Sequence, residues 1–533
     1  MVVRKKDGRK KDGGEKSNII RPFGNLECYE FHMIQLRFLG NNIVSCRYAV
    51  PATLARPELD NSVVTHVEDA IARVVIDQPA LRIDVVSAET KRPAWVAVDQ
   101  IDFANHVQWV DISSDNETSD NVTTTSEMLQ DRIERRLDEP HAIVAGRPRW
   151  RVLVLFKNGG DPFLDIMFDY SHALGDGTSG KIFHETLLRI LNTPTSTPTA
   201  PGEVETRAPA LTNRILSIPS TASTLRPPAE KIGKFAVSAK FAVTTVWKEL
   251  QPPAFSSASA AQARWAPIRT APYKTRFRAF SVQADVLRGI LAACRKHKTT
   301  VTGLLHALLL ASMASRIPAR DATAFTGSTP LDLRRHLVDV DVETCPDFDA
   351  RRTMADYVSA MAHEFDADVV RRIRDAAKSG DVGQGGDDAI APALVDLVWQ
   401  CAARVRGEIQ KRLDCGLRND IVGLMRLVPD WRAQFRAEAR KARPNSFVVS
   451  NLGVLDGRLD LEKRDAESWS IVHSTFAISA EVCGAAFQVS LISVRDGALC
   501  IGCSWQDCVV DLKLAEAIVV DLERWLQFLG KSS

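Results

Sequence analysis

Between Asn192 and Glu230 the chain offers almost nothing that can be packed. Thr193-Pro-Thr-Ser-Thr-Pro-Thr-Ala-Pro201 and Leu225-Arg-Pro-Pro228 place prolines where neither a helix interior nor a central strand accepts them. Each proline lacks a backbone donor and fixes its own φ. The stretch 192–274 therefore reads as a crossover linker, and each side of it must build its own core. With 533 residues the chain is long enough for two such halves. The expected division is a disordered basic tail at 1–20, an N-terminal subdomain at 21–191, the linker at 192–274 and a C-terminal subdomain at 275–533.

Both halves mix helical and strand periodicities. Asp60 to Val75 repeats Val63, Val64, Val67, Ala70, Ile71 and Val74 at helical spacing. Gln78-Pro-Ala-Leu-Arg82 turns into the short strand Ile83–Val86. Ser126 to Leu137 reads as a helix charged on one face. Trp150–Phe156 and Phe163–Tyr170 read as strands paired around Asn158-Gly-Gly-Asp161. In the second half, 282–297 and 300–314 read as helices, the latter apolar almost all round and hence buried on several sides. Strands follow at 447–450, 475–482, 486–493 and 498–505, with a glycine-rich loop at Gly380–Asp388. An amphipathic helix closes the chain from Asp511 to Leu529. The class is α/β.

Composition narrows the function. A net charge of +2 over this length gives no reason to expect nucleic acid as a partner. The ten cysteines are scattered, which fits a reducing compartment. Asn116-Glu-Thr and Asn121-Val-Thr match the glycosylation sequon, a short motif that means little without a secretory signal. The polar, basic N-terminus lacks a signal peptide's apolar core. No apolar run is long enough to span a bilayer. A cytoplasmic protein is expected, with the periphery of the endoplasmic reticulum or of lipid droplets as the alternative. That alternative rests on the apolar face of the last helix, Leu512, Ala515, Ile518, Val519, Leu522, Trp525 and Leu526, whose commoner use is packing on the domain.

The chemistry concentrates where the Phe163–Tyr170 strand ends. Ser171-His172-Ala-Leu-Gly175-Asp176-Gly177 puts an imidazole at a strand end, followed by a helix through Lys181–Leu191. Held there, His172 can act as a general base near neutral pH. Gly175-Asp-Gly-Thr-Ser-Gly180-Lys181 imitates a phosphate loop. Yet position 182 is Ile where a Mg²⁺-binding hydroxyl belongs, and Asp176 would repel the anion. No G-x-S-x-G elbow occurs, and Ser171 points away from its neighbour His172 along a strand. Cys500-Ile-Gly-Cys503 with Cys508 lacks the four paired ligands of a structural zinc, so no metal site is expected. His306 and His184 lie in apolar helices and read as hydrogen-bonded core residues.

His172-Ala-Leu-Gly-Asp176-Gly177 resembles the HxxxDG motif of the CoA-dependent acyltransferase superfamily, which includes chloramphenicol acetyltransferase, BAHD enzymes and condensation domains. Further segments resemble the fungal alcohol acetyltransferases in the expected order. These are Arg21-Pro-Phe-Gly-Asn-Leu-Glu-Cys-Tyr29, Gln78-Pro-Ala-Leu-Arg82, Lys298 to His306, Thr329-Pro-Leu-Asp-Leu-Arg334 and Val449-Ser-Asn-Leu-Gly453. They span most of the chain from about residue 20. Many relatives carry a second histidine where this chain has Ser171; the catalytic one is kept.

The resemblance implies two chloramphenicol-acetyltransferase-like domains, each a mixed sheet flanked by helices, with the active-site channel between them. It implies transfer from acyl-CoA, acetyl-CoA first among them, to the hydroxyl of a small alcohol or secondary metabolite. His172 would be the base, and no bound cofactor is needed. The alternatives are an N-acyltransferase acting on an amine and a silent binding protein on the same fold. Asp176 is implied to fix the loop by pairing with an arginine, Arg82 first and Arg334 second. Arg82 otherwise reads as a solvated charge, and Arg334 otherwise belongs with the CoA-facing residues. Gly175 and Gly177 would permit the tight turn. Ser450 and Asn451 would donate to the oxyanion or to CoA, or simply form a turn. A monomer is expected.

Overall fold

The computed structural model describes residues 19–56, 58–113, 125–158, 163–193, 211–219, 225–250, 260–337, 348–378, 391–458 and 468–531. The basic tail up to residue 18, both sequons, the Gly380–Asp388 loop, most of the turn after Asn158 and the Thr193–Pro201 run beyond Thr193 lie outside them.

Two mixed sheets carry the architecture. The first has five strands in the order Ser470–Ile478, Asn41–Ala49, Phe163–Ser171, Trp150–Phe156 and Val107–Asp111. The second has six, in the order Thr275–Val282, Leu499–Gln506, Ala485–Val494, Asn445–Leu455, Phe325–Asp332 and Val358–Phe365. Smaller sheets of three and two strands flank the first half. One strand crosses between the halves: Ser470–Ile478 lies far along the chain, yet pairs antiparallel with Asn41–Ala49 at the edge of the first sheet. It begins at Ser470 rather than at 475, because its extent is set by this partner and not by its own apolar run. Ser490 Oγ donates to its Phe476 carbonyl at 2.6 Å, and Ser504 Oγ to its Ile478 carbonyl at 2.6 Å. The second sheet thus meets the crossing strand face-on.

Local chemistry accounts for the helices around this frame. Asn61–Asp77 starts where the Asp60 carboxylate caps the Ser62 N–H at 3.0 Å, and buries Val63, Val67, Ala70, Ile71 and Val74 on the first sheet. Val301–Arg316 is capped by Thr300 Oγ1 and is buried without a break from Gly303 to Ala314. The helix Pro392–Asp414 lies alongside it. A Cβ on Gly303 would come within 2.6 Å of the Ala402 carbonyl, so glycine sets that close approach. The closing helix Leu512–Lys531 buries Ala515, Ile518, Leu522, Leu526 and Leu529 in the core of the second half. Of its apolar face, Val519 and Trp525 are partly buried and Leu512 is exposed. Among the described residues no helix is long and apolar enough to cross a membrane.

The stretch 192–274 is not bare linker. Ile215–Ser217 pairs with Gln100–Asp102, and helices run through Ala229–Ile232 and Ala239–Leu250. Apolar residues between the prolines supply them: Leu216 is fully buried and Ala229 nearly so.

Candidate active site

The strand Phe163–Ser171 is hydrogen-bonded on both sides and buried over nearly its whole length. A 3-10 turn, His172–Leu174, follows, and then the helix Gly177–Leu191. Asp176 caps that helix: its Oδ1 accepts from the Ser179 N–H at 3.0 Å and from Ser179 Oγ at 3.1 Å.

Its other oxygen joins the two halves. Asp176 Oδ2 accepts from Arg334 Nη1 at 2.6 Å and from the Tyr357 N–H at 3.0 Å. Arg334 also donates to the Thr353 and Ala355 carbonyls and to Asp332. Both partners are almost fully buried, and the carboxylates of Asp176 and Asp332 raise the guanidinium pKa against the opposing effect of burial. Two expectations are corrected here. The arginine on Asp176 is Arg334, not Arg82. Arg82 ends the turn Pro79–Arg82, buried rather than solvated, and burial lowers its pKa to about 10 against the pull of Asp77. The Arg334 guanidinium, expected as a possible CoA contact, spends its hydrogen bonds on Asp176, Asp332 and the Thr353 and Ala355 carbonyls. A third correction concerns the glycines. Gly175 has an extended backbone, φ 178°, and Gly177 is not at positive φ. Space, not turn freedom, demands them: a Cβ on Gly175 would lie 2.5 Å from Ser179 Oγ, and one on Gly177 would lie 2.8 Å from Leu452 and Phe476.

His172 is placed differently. Its side chain is 16% exposed, and its Nδ1 has no hydrogen-bond partner. Two carboxyls face that nitrogen, Asp356 Oδ1 at 3.8 Å and Glu30 Oε1 at 3.9 Å. Glu30 comes from the helix Asn25–Gln35, and Asp356 from the segment held by Arg334 and Asp176. Burial pushes both carboxyls well above their ordinary range. The His172 charge opposes this at Asp356, and Glu481 adds to it at Glu30. An imidazole with acidic groups behind one nitrogen and an opening to solvent can exchange a proton through the other. Sequence reasoning missed Glu30, Asp356 and Glu481. The available signal was a carboxylate amid apolar neighbours, as in Tyr29-Glu-Phe31 and Met354-Ala-Asp-Tyr357.

Ser450 and Asn451 lie on the strand Asn445–Leu455. Asn451 forms a turn: its Oδ1 accepts from the Gly453 N–H at 2.7 Å, while its Nδ2 donates to Thr302 at 3.0 Å. Ser450 sits level with Ser490, on the face that meets the crossing strand. The remaining sequence candidates resolve as packing. Cys500 and Cys503 are buried thiols on one strand, three residues apart and so on opposite faces. His184 bonds the Val44 carbonyl and Tyr48, and His306 bonds Thr329. The nine cysteines among the described residues are all free.

Two lobes, one crossing strand and a motif pinned between them define a fold shared with solved structures. The trichothecene 15-O-acetyltransferase TRI3 of Fusarium sporotrichioides superposes with a TM-score of 0.64 at 12% identity, over 96% of this chain and 94% of that one. The condensation domain of the monacolin K polyketide synthase MokA gives 0.54 at 11%, over 96% of each chain. At such identities the likeness lies in the fold. The sequence comparisons then give the class, an acyltransferase. Residues 140–361 match the alcohol acetyltransferase family model. The chain is 27% identical to the "Probable alcohol acetyltransferase FCK4" of Fusarium pseudograminearum, over 97% of its length and 96% of the relative's. It is 26% identical to the "Probable alcohol acetyltransferase crmB" of Aspergillus fumigatus, over 80% and 82%. The chain is thus similar to fungal proteins named as probable alcohol acetyltransferases, and that class of transferase takes an acyl-CoA and an alcohol as substrates.

Proposed function

We propose that this protein transfers an acyl group, acetyl in the first instance, from CoA to a hydroxyl of a small secondary metabolite, with His172 as general base. The observation that carries the reading is the position of His172: partly open to solvent, at a strand end where both halves meet, with two acidic groups facing Nδ1. Nε2 removes the proton from the acceptor hydroxyl. The oxygen attacks the thioester carbonyl carbon, and the C–S bond breaks as the tetrahedral adduct collapses. The departing CoA thiolate takes the proton back from Nε2, so neither the enzyme nor the proton count changes. Ser450, on the face toward the first sheet, is the donor we assign to the oxyanion or to CoA. Asn451 shapes the turn beside it. Asp176 acts through structure, since its oxygens are taken by Ser179, Arg334 and the Tyr357 N–H.

The test mixes purified protein with acetyl-CoA and a panel of small alcohols and amines, and reads free thiol. Turnover with alcohols and a loss of about a hundred- to ten-thousandfold in His172→Ala are expected. Equal turnover by the variant overturns the base assignment. Turnover confined to amines would instead make this an N-acyltransferase. Calorimetry showing no acetyl-CoA binding would make the chain a silent member of its fold.

A further inference from the structure

The geometry points to Asp356, with Glu30 beside it, as the positioning residue of His172: the pair accepts the Nδ1–H, leaves the Nε2 lone pair facing the acceptor, and balances the imidazolium that forms there. This rests on His172 being the base. Asp176, four residues from the histidine, cannot serve, because both its oxygens are already used. Asp356 shows the opposite condition. It is 4% exposed, and neither carboxylate oxygen has a hydrogen-bond partner. The nearest basic group is the equally unpartnered Nδ1 of His172, at 3.8 Å. An unpaired carboxylate in such a place is costly unless it is neutralised or paired. Bringing the two groups within hydrogen-bond length as the imidazolium forms satisfies both at once, and catalytic hydrogen bonds are often long before substrate binds.

The clamp explains how Asp356 arrives there. Arg334 holds the Thr353 and Ala355 carbonyls, and Asp176 holds the Tyr357 N–H. The backbone on both sides of Asp356 is thus fixed by the motif's own aspartate. In this arrangement Asp176 serves the reaction at one remove, by delivering a second acid to the histidine.

The charges facing the pair come from several elements. Glu27 and Glu30 lie on the helix Asn25–Gln35, Asp176 caps the next helix, and Glu481 follows the crossing strand with Arg443 opposite it. So many acids in one buried place cannot all be ionised. Burial holds Glu30 and Asp356 toward their neutral forms, and the charge of His172 draws Asp356 back toward the carboxylate. No bond to Asp356 is made or broken in the reaction, and the Nδ1 proton stays on the ring. Glu30, His172 and Asp356 also offer three ligand atoms within 4.8 Å of one another, so a divalent cation is the competing occupant.

The experiment compares Asp356→Asn, Asp356→Glu and Glu30→Gln, using acetyl-CoA and the best alcohol of the panel. Asp356→Asn should lose about a hundredfold in kcat while KM for acetyl-CoA stays within about twofold. The acid limb of its pH–rate profile should move to lower pH, since the imidazole loses its anionic neighbour. Asp356→Glu should recover part of the rate, and Glu30→Gln should move the same limb less. Selective 15N-histidine spectra, assigned by difference with His172→Ala, should show the Nδ1–H tautomer in the wild type and a mixture in Asp356→Asn. A folded Asp356→Asn with wild-type kcat and profile overturns the proposal. So does a stoichiometric divalent metal in the purified protein. Should Asp356→Asn fail to fold, an unmoved acid limb in both other variants overturns it equally. An active His172→Ala would instead sink the base assignment, whatever tautomer the spectra show.

Discussion

The two halves of the molecule each hold a histidine beside a carboxylate, and by hydrogen-bond geometry the wrong one looks catalytic. In the second half Thr329 Oγ1 lies 2.9 Å from His363 Nε2, and His363 Nδ1 lies 2.6 Å from Glu408, an ordering of hydroxyl, imidazole and acid familiar from hydrolases. Yet His363 is 1% exposed and Thr329 6%, and His306 occupies the other side of the hydroxyl. Nothing can reach that oxygen. His172 has no hydrogen bond at Nδ1 and carboxyls nearly 4 Å away, but it is partly open and lies where the halves meet. Complete satisfaction marks a histidine that supports the fold, whereas buried groups left wanting a partner, beside an opening, mark one that handles protons.

The most direct way to break this contrast is to remove each imidazole. His172→Ala should lose about a hundred- to ten-thousandfold in kcat with its melting temperature little changed. His363→Gln should do the reverse, keeping kcat and lowering the melting temperature. A rate loss in His363→Gln that persists well below its melting transition would mean that the second-half chain takes part in the chemistry after all.

Next in size is the clamp between the halves. Asp176→Asn leaves the Arg334 guanidinium buried with only Asp332 as its acid, and removing one member of a buried pair costs about 3–5 kcal/mol. Urea unfolding reads that loss directly. Activity should fall with it even where the protein stays folded, because the segment bearing Asp356 is released. A stable Asp176→Asn with full activity would show that the clamp serves neither role.

Much of this frame was legible in the sequence, and the part that was not has a physical pattern. The strands Trp150–Phe156 and Ile83–Val86 match their expected bounds, and Phe163–Ser171 runs one residue further than expected. Their apolar runs and flanking turns are local signals. Asn41–Ala49 was not read, although it is the strand that joins Phe163–Ser171 to the crossing strand. Its Asn, Ser, Cys and Arg residues hide the periodicity, and its place is fixed only by its neighbours. The helix Pro392–Asp414 was missed because its last turns are heavily charged. At the site, His172 and Asp176 were legible from a motif eight residues long or less. The arginine on Asp176 was not: Arg82 ranked ahead of Arg334, and only the folded chain brings Arg334 onto the carboxylate. Glu30 and Asp356 had no motif at all, being assembled from segments more than 300 residues apart.

The buried histidines offer a smaller test, through pH. Burial lowers the His184 pKa to about 4, so its ring stays neutral in the folded protein while the unfolded chain takes up a proton near 6.5. Because the unfolded state then binds more protons, the contribution of His184 is intact above about pH 6.5 and falls as pH drops toward 4. At pH 5 the loss is about 2 kcal/mol. Urea titrations of the wild type and His184→Asn at pH 7.5 and pH 5 isolate it as the difference between their two slopes. Parallel slopes would mean that His184 titrates normally.

The finest test makes one chemical change at both histidines. Glu408→Gln removes the acid beside His363 as Asp356→Asn removes the acid beside His172. Glu408 is a third exposed, so solvent already screens its charge, and the amide keeps much of the hydrogen bond. The cost should be about 0.5–1 kcal/mol of stability, with kcat and its pH dependence unchanged. Burial already keeps His363 neutral, and losing Glu408 only lowers its pKa further, so no charge changes at neutral pH. If Glu408→Gln instead shifted the pH–rate profile as Asp356→Asn is expected to, the acid limb would report a long-range charge effect rather than a partner of His172.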